Sequence, residues 1–237
     1  GGSGITPQMY HELISAGVDC ITLGDHIYKR AEIIDVLDRE QNILKPANFP
    51  AEAPGRDLAI LKARDGTSVA VISLLGRVFM RPVDCPWKAA DRVLAAIPPD
   101  VKVIVIDFHG EATSDKQLMA RYLDGRVSAV LGTHTHVPTA DEEILPGGTA
   151  MQCDVGMTGP HDSILGRRID RVMETTLTFN PTHFEVATGD VRLNGTIVDI
   201  DPTTGRATAI RRCPIRQAEV DRWLASQVSA VTSETSE

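Results

Sequence analysis

Three runs of apolar, β-favouring residues each end in a short cluster able to bind a metal or move a proton. Val18 to Leu23 leads into Gly24-Asp25-His26, and Val101 to Ile106 into Phe108-His109-Gly110-Glu111. Val127 to Leu131 leads into Gly132-Thr133-His134-Thr135-His136. Histidines and a carboxylate at the ends of separate strands can converge in one pocket, however far apart they lie in sequence. Imidazole and carboxylate together form the ligand set of zinc, manganese or iron. A bound divalent ion is the usual means of hydrolysing a phosphate ester.

Between these runs the pattern predicts helices, so the fold class is α/β. Thr6 can cap a helix that starts at Pro7 and ends at Gly17, since proline at the first helical position loses no hydrogen bond. Further helices are expected over 31–40, 87–97 and 114–123. Strands at 58–63 and 68–74 flank Arg64-Asp65-Gly66, a hairpin signal. The strand from Val101 to Phe108 is almost wholly apolar, as suits a strand buried on both faces. Beyond Thr139, short strands at 143–145, 150–153, 184–187, 191–199 and 207–211 alternate with glycine-rich turns and predict a second, mostly antiparallel sheet. A single domain over 1–225 is expected, followed by a disordered tail over 226–237.

Composition excludes several functions. Only 4% of residues are aromatic and the net charge is -8, which argues against single-stranded nucleic acid stacked on an aromatic wall and against polyanions bound over a broad surface. A small phosphate ester in a metal-charged pocket stays compatible, because the cation inverts the local field. The four cysteines show no paired spacing and read as buried, reduced thiols. No apolar run approaches the ~18–20 residues that cross a membrane, and no basic-then-apolar leader opens the chain. The expected compartment is the cytoplasm.

In an extended segment alternate residues face the same way, so His134 and His136 can point into one pocket. A lone histidine is more often a surface or satisfied core residue, which is the reading for His11, His161 and His183. Asp25 offers a metal ligand, with helix capping as the bland alternative, and the adjacent His26 can act as a general acid. His109 is a further ligand candidate. Glu111 either orients a ligand or caps the next helix.

Several segments resemble one family. These are Gly4-Ile5-Thr6, Gly17 to Gly24, Leu75-Gly76-Arg77-Val78-Phe79-Met80, Asp107-Phe108-His109 with Glu111-Ala112-Thr113-Ser114, Gly132 to Val137, and Asp154-Val155-Gly156-Met157-Thr158-Gly159. They are similar to the YmdB-like branch of the calcineurin-type metallophosphoesterases, up to about Arg211. The resemblance implies a four-layer α/β/β/α sandwich with two divalent ions, iron or manganese, and hydrolysis of small phosphodiesters such as 2′,3′-cyclic nucleotides. It implies that His109, His134 and position 25 bind one ion, that His136 binds the other, and that His26 is the proton donor.

The family pattern has Gly-Asn-His where this chain has Gly24-Asp25-His26. The family also begins with strands carrying a metal-binding Asp and a Glu-Asn pair, which have no counterpart here. An N-terminally truncated sandwich is therefore expected, a fragment of a longer enzyme that could hold only one ion. The rival readings are a catalytically impaired regulatory or scaffold protein and a phosphomonoesterase. Expected partners are a small phosphodiester and, through an exposed sheet edge, a second copy of the chain; no membrane or extended nucleic acid is expected.

Overall fold

The computed structural model describes residues 2–234. In chain order the elements are α1 (Pro7–Ser15), β1 (Ile21–Thr22), a 3-10 turn at Ala31–Ile33 running into α2 (Ile34–Arg39), β2 (Ile43–Leu44), β3 (Leu58–Lys62) and β4 (Ser68–Leu75). Then come α3 (Pro86–Leu94), β5 (Val103–His109), α4 (Thr113–Tyr122), β6 (Ala129–Thr133), β7 (Glu143–Ile144) and β8 (Ala150–Gln152). The remainder is β9 (Gly159–Asp162), α5 (Ile169–Thr178), β10 (Gly189–Leu193), β11 (Thr196–Ile200), β12 (Ala207–Arg212), β13 (Ile215–Arg216) and α6 (Gln217–Glu234).

Where the sequence suggests one domain, the chain divides into two compact units. Among the described residues the larger holds 3–155 and 197–211, the smaller 2, 156–196 and 212–234. In the larger unit, β4, β5, β6 and β8 run parallel within a six-stranded sheet of order β3-β4-β5-β6-β8-β7, with β3 and β7 antiparallel at the edges.

Alternation along the strands sorts the two faces. Ile104, Ile106 and Phe108 of β5, with Val130 of β6 and Met151 of β8, pack against Ala89, Ala90 and Val93 of α3, Met119 and Ala120 of α4, and Leu123 just past it. On the opposite face, Val105, Ala129, Leu131 and Ala150 meet Val198, Ala207 and Ile210 of the β11–β12 pair. Alanines at 129 and 150 leave the second strand layer room to approach. Each fully buried Ile, Leu or Phe contributes roughly 1.5–3 kcal/mol. A separate cluster gathers Tyr10, Ile21, Ile33, Val36, Leu37 and Ile43 around Leu75. The parallel pair β1–β2 joins the main sheet region where the Ser73 hydroxyl donates to Leu23 O at 2.8 Å and Ala47 N–H to Ser73 O at 2.7 Å.

Local signals act as expected at both ends of α1. The Thr6 hydroxyl accepts from Met9 N–H at 3.2 Å, and Gly17 takes φ +97° just past the helix. The β3–β4 hairpin turns at Asp65-Gly66, with Gly66 at φ +87°. Two expectations are corrected. Strands β7 and β8 belong to the main sheet, since β8 finds a parallel partner in β6. The run 191–199 is interrupted at Asn194-Gly195 and feeds two strands, while 184–187 forms no named strand. Helix α6 runs to Glu234, within the stretch expected as a tail; residues 235–237 of that stretch lie outside the described residues.

The smaller unit contains the three-stranded sheet β13-β10-β9 and helix α5, which buries none of its residues. All four cysteines are free, but only Cys153 is buried; Cys20, Cys85 and Cys213 are half-buried, which corrects the expectation of four buried thiols. Burial, followed by the neighbouring Asp141, pushes the Cys153 thiol up to about 12. Among the described residues no helix is long and apolar enough to cross a membrane.

Candidate metal centre

His109 ends β5 and Thr133 ends β6, and the register makes them partners across the parallel pair. Both lie on the face turned away from α3 and α4, together with Asp107. The Thr133 hydroxyl donates to Asp107 Oδ1 at 2.7 Å. It therefore accepts from His109 Nδ1 at 2.9 Å, which puts a ring proton on Nδ1 and turns Nε2 inward. His134, one residue beyond β6, places Nε2 at 3.1 Å from Glu111 Oε2. A proton shared there leaves its Nδ1 facing inward as well. Glu111 thus meets the His134 ring, and the helix-cap position of α4 belongs to Ala112.

The inward atoms meet. His109 Nε2 lies 3.1 Å from Asp25 Oδ1 and 3.0 Å from His134 Nδ1. The two rings cross edge to face with centroids 4.7 Å apart. Atoms this close need a proton or a cation among them: a second ring proton on His109 lets it donate to Asp25 Oδ1, and a bound ion lets all three atoms face it. Two ligands about 2.1 Å from an ion and at right angles to it stand about 3.0 Å apart, so the donor set fits a divalent metal. Asp25, His109 and His134 form a potential three-residue metal site, their ligand atoms all within 4.8 Å of one another.

Asp25 Oδ1 also faces His26 Nδ1 at 2.6 Å. Burial raises the Asp25 carboxyl, but hydrogen bonds from His109 and His26, and the attraction of both rings, outweigh it and hold the carboxyl below the usual carboxylate range. Burial, reinforced by His109, lowers the pKa of His134 against the opposing pull of Asp25 and Glu111. Glycine is required at position 24, because a Cβ there would run into the His109 ring.

The structure brings together Asp25, His109 and His134, with His26 beside them. His136 is exposed and does not join the trio. The alternation argument for His134 and His136 does not apply, because both have left-handed backbone, at φ 99° and 69°. Of the histidines read as structural, His161 is satisfied within the smaller unit by Gly159 O and Asn194 Nδ2, each at 3.0 Å. His11 and His183 are exposed.

Two supporting residues carry no signal in the sequence, and both lie in the first turn of α4. Lys116 Nζ, only 4% exposed, donates to Asp154 Oδ2 at 3.0 Å, and Asp154 is 1% exposed. The same carboxylate accepts from Thr135 N–H at 2.9 Å and from the Thr135 hydroxyl at 2.7 Å, which fixes the segment between the two strained histidines. Gly132 makes space for this arrangement, since a Cβ would collide with Cys153 O and crowd the Lys116 stem. Asp115 Oδ2, next to Lys116, accepts from Arg77 N–H and Val78 N–H, both at 3.2 Å, and so holds the loop after β4.

A mixed sheet whose parallel strands end in two imidazoles, joined there by a carboxylate, is a metallophosphoesterase-like α/β fold. The family model described as YmdB-like protein matches residues 1–213, and the chain belongs to that family. A Bacillus subtilis (strain 168) protein named 2′,3′-cyclic-nucleotide 2′-phosphodiesterase is 47% identical over 211 residues, covering 89% of this chain and 80% of that protein. The crystal structure of a hypothetical protein from Thermus thermophilus superposes with a TM-score of 0.85 at 40% identity, over 91% of this chain and 83% of that one. A crystal structure described as a novel phosphatase, from Mycoplasma pneumoniae, gives 0.81 at 28% identity, over 91% and 78%.

Proposed function

We propose that this hydrolytic phosphoesterase is a metal-dependent phosphodiesterase of small phosphodiesters, with 2′,3′-cyclic nucleotides as substrates. The observation that carries the reading is the meeting of Asp25 Oδ1, His109 Nε2 and His134 Nδ1 at 3.0 and 3.1 Å, with the outer ring nitrogens already engaged. The name and 47% identity of the Bacillus subtilis relative support the substrate class.

In this proposal Asp25, His109 and His134 would hold one divalent ion and His136 would serve a second, with iron or manganese suited to a mixed imidazole and carboxylate set. When bound, the metal supplies Lewis-acid stabilisation of the phosphoryl oxygens and activation of water. The chain's own residues do the rest. Thr133 and Glu111 hold the two rings in their tautomers. Asp25 holds His26 through Nδ1, leaving its Nε2 to protonate the departing sugar oxygen.

Four free thiols support a reducing compartment, and the cytoplasm is part of the proposal. So is a homo-oligomer, supported by the exposed helix α5 and read by sedimentation.

The test compares wild type, His134→Ala and His26→Ala on 2′,3′-cyclic AMP with manganese or iron present. His26→Ala should lose roughly 10²- to 10⁴-fold in rate, and His134→Ala should lose bound metal and activity together. Equal rates in wild type and His134→Ala would remove the proposal. Preference for a phosphomonoester in the same panel would move it to the phosphomonoesterase reading. Metal-free, inactive protein that captures a specific partner would support the scaffold reading.

A further inference from the structure

The loop leaving β4 begins against the candidate metal centre. Leu75 is the register partner of His109, and Gly76 N–H donates to His109 O at 2.9 Å. A Cβ on Gly76 would press on the Gly110 backbone, so glycine lets the two turns touch. Phe79 follows three residues later, within about 11 Å of Gly76 at ~3.8 Å per residue.

Most residues of this loop are tied down. Asp115 takes the N–H groups of Arg77 and Val78, and Met80 N–H donates to Arg77 O at 3.2 Å. The Arg77 guanidinium lies over the Trp87 ring at 5.8 Å and Arg81 over Phe49 at 5.4 Å. Met80 and Val83 pack onto the cluster around Leu75. Asn48 then closes the far end, donating to Leu75 O at 2.8 Å and Asp84 O at 3.0 Å.

Phe79 is the exception. It is 89% exposed and has left-handed backbone, φ 59°, which disfavours a bulky side chain. An aromatic ring held outward in a strained conformation by an otherwise anchored loop gains nothing from folding. Such outliers gather at sites of function. Phe179 shares both features, but it follows α5 in the smaller unit, whereas the strands that lead to the candidate ligands belong to the larger one.

We propose that Phe79 is the stacking platform for the nucleobase of the cyclic nucleotide, and so the residue that makes this centre prefer a nucleotide over a bare cyclic phosphate. The inference rests on the cyclic-nucleotide reading above. A base presents a flat π-face whatever its hydrogen-bond edge, and a single exposed phenyl ring recognises that face without discriminating among bases.

The test compares kinetics on 2′,3′-cyclic AMP with those on 1-O-methylribose 2′,3′-cyclic phosphate, the same cyclic diester without a base. Phe79→Ala should raise KM for the nucleotide roughly 5- to 150-fold, the range of base–aromatic stacking. It should leave kcat and all constants for the baseless diester unchanged, and Phe79→Trp should restore the wild-type KM. The exposure of the side chain means that the melting temperature should not fall. Identical kinetics of wild type and Phe79→Ala on the nucleotide, or equal losses on both substrates, would overturn the inference while leaving the phosphodiesterase reading standing. Loss of self-association with unchanged kinetics would overturn it in favour of a contact between copies. Wild-type protein that hydrolyses neither diester would remove the phosphodiesterase reading and this inference with it.

Discussion

Lys116→Met tests whether α4 holds the histidine segment in place. The substitution keeps the length of the buried stem and removes the ammonium that lies 3.0 Å from Asp154 Oδ2 and 3.2 Å from the Thr135 hydroxyl. Removing one partner of a buried ion pair costs about 3–5 kcal/mol, because the other charge stays buried and unpaired. Thr135 still gives Asp154 two hydrogen bonds, so the lower figure applies. For a protein of this size each kcal/mol moves the melting temperature by about 2–4 °C, which puts the expected drop at about 6–12 °C.

The second consequence is at the metal. Left-handed backbone costs roughly 1–2 kcal/mol per residue, and His134 and His136 both carry it on either side of Thr135. With Asp154 no longer fixed, that strain relaxes and His134 leaves its position. Manganese affinity, measured by calorimetry, should fall about 10- to 100-fold, as is usual when an outer support of a ligand is lost. Lys116→Met with Asp154→Asn should lose less than the two single changes together, since no bare charge remains. A single variant that melts within a degree of wild type and binds manganese equally well would refute the reasoning.

Gly24→Ala should fold but bind metal poorly, because its methyl group would occupy the place of the His109 ring; metal content after dialysis measures this, and unchanged content would count against the packing argument. Metal-free protein should show a pH-dependent contribution from Asp25. Its carboxyl sits below the unfolded value of about 3.9, so the stabilisation is complete above that pH and is lost as pH falls through the lower, folded value. Melting curves of wild type and Asp25→Asn in chelator should therefore lie furthest apart above about pH 4 and converge in stronger acid; a constant gap would contradict the assignment.

The strand ends are legible because their signal is local: an apolar run that stops at Asp25-His26, at His109 or at His134. The caps of α1 and the Asp65-Gly66 hairpin are local too, and one or two residues specify each. What the sequence hides depends on distant pairing. Strands β7 and β8 look like a separate sheet until β6 is seen beside β8. Lys116 reads as an ordinary solvated helix lysine, because its partner lies 38 residues away. His136 reads as a companion of His134 on the premise of extended backbone, and two positive φ angles remove that premise. Glu111 is legible only as an alternative, since its meeting with His134 depends on the turn that follows β6.

Anomalous scattering from a crystal grown with manganese or iron addresses the centre itself. The account predicts a peak lying about 2.0–2.2 Å from Asp25 Oδ1, His109 Nε2 and His134 Nδ1, and absent in His134→Ala. A peak elsewhere, or full metal occupancy that survives the loss of His134, would contradict it.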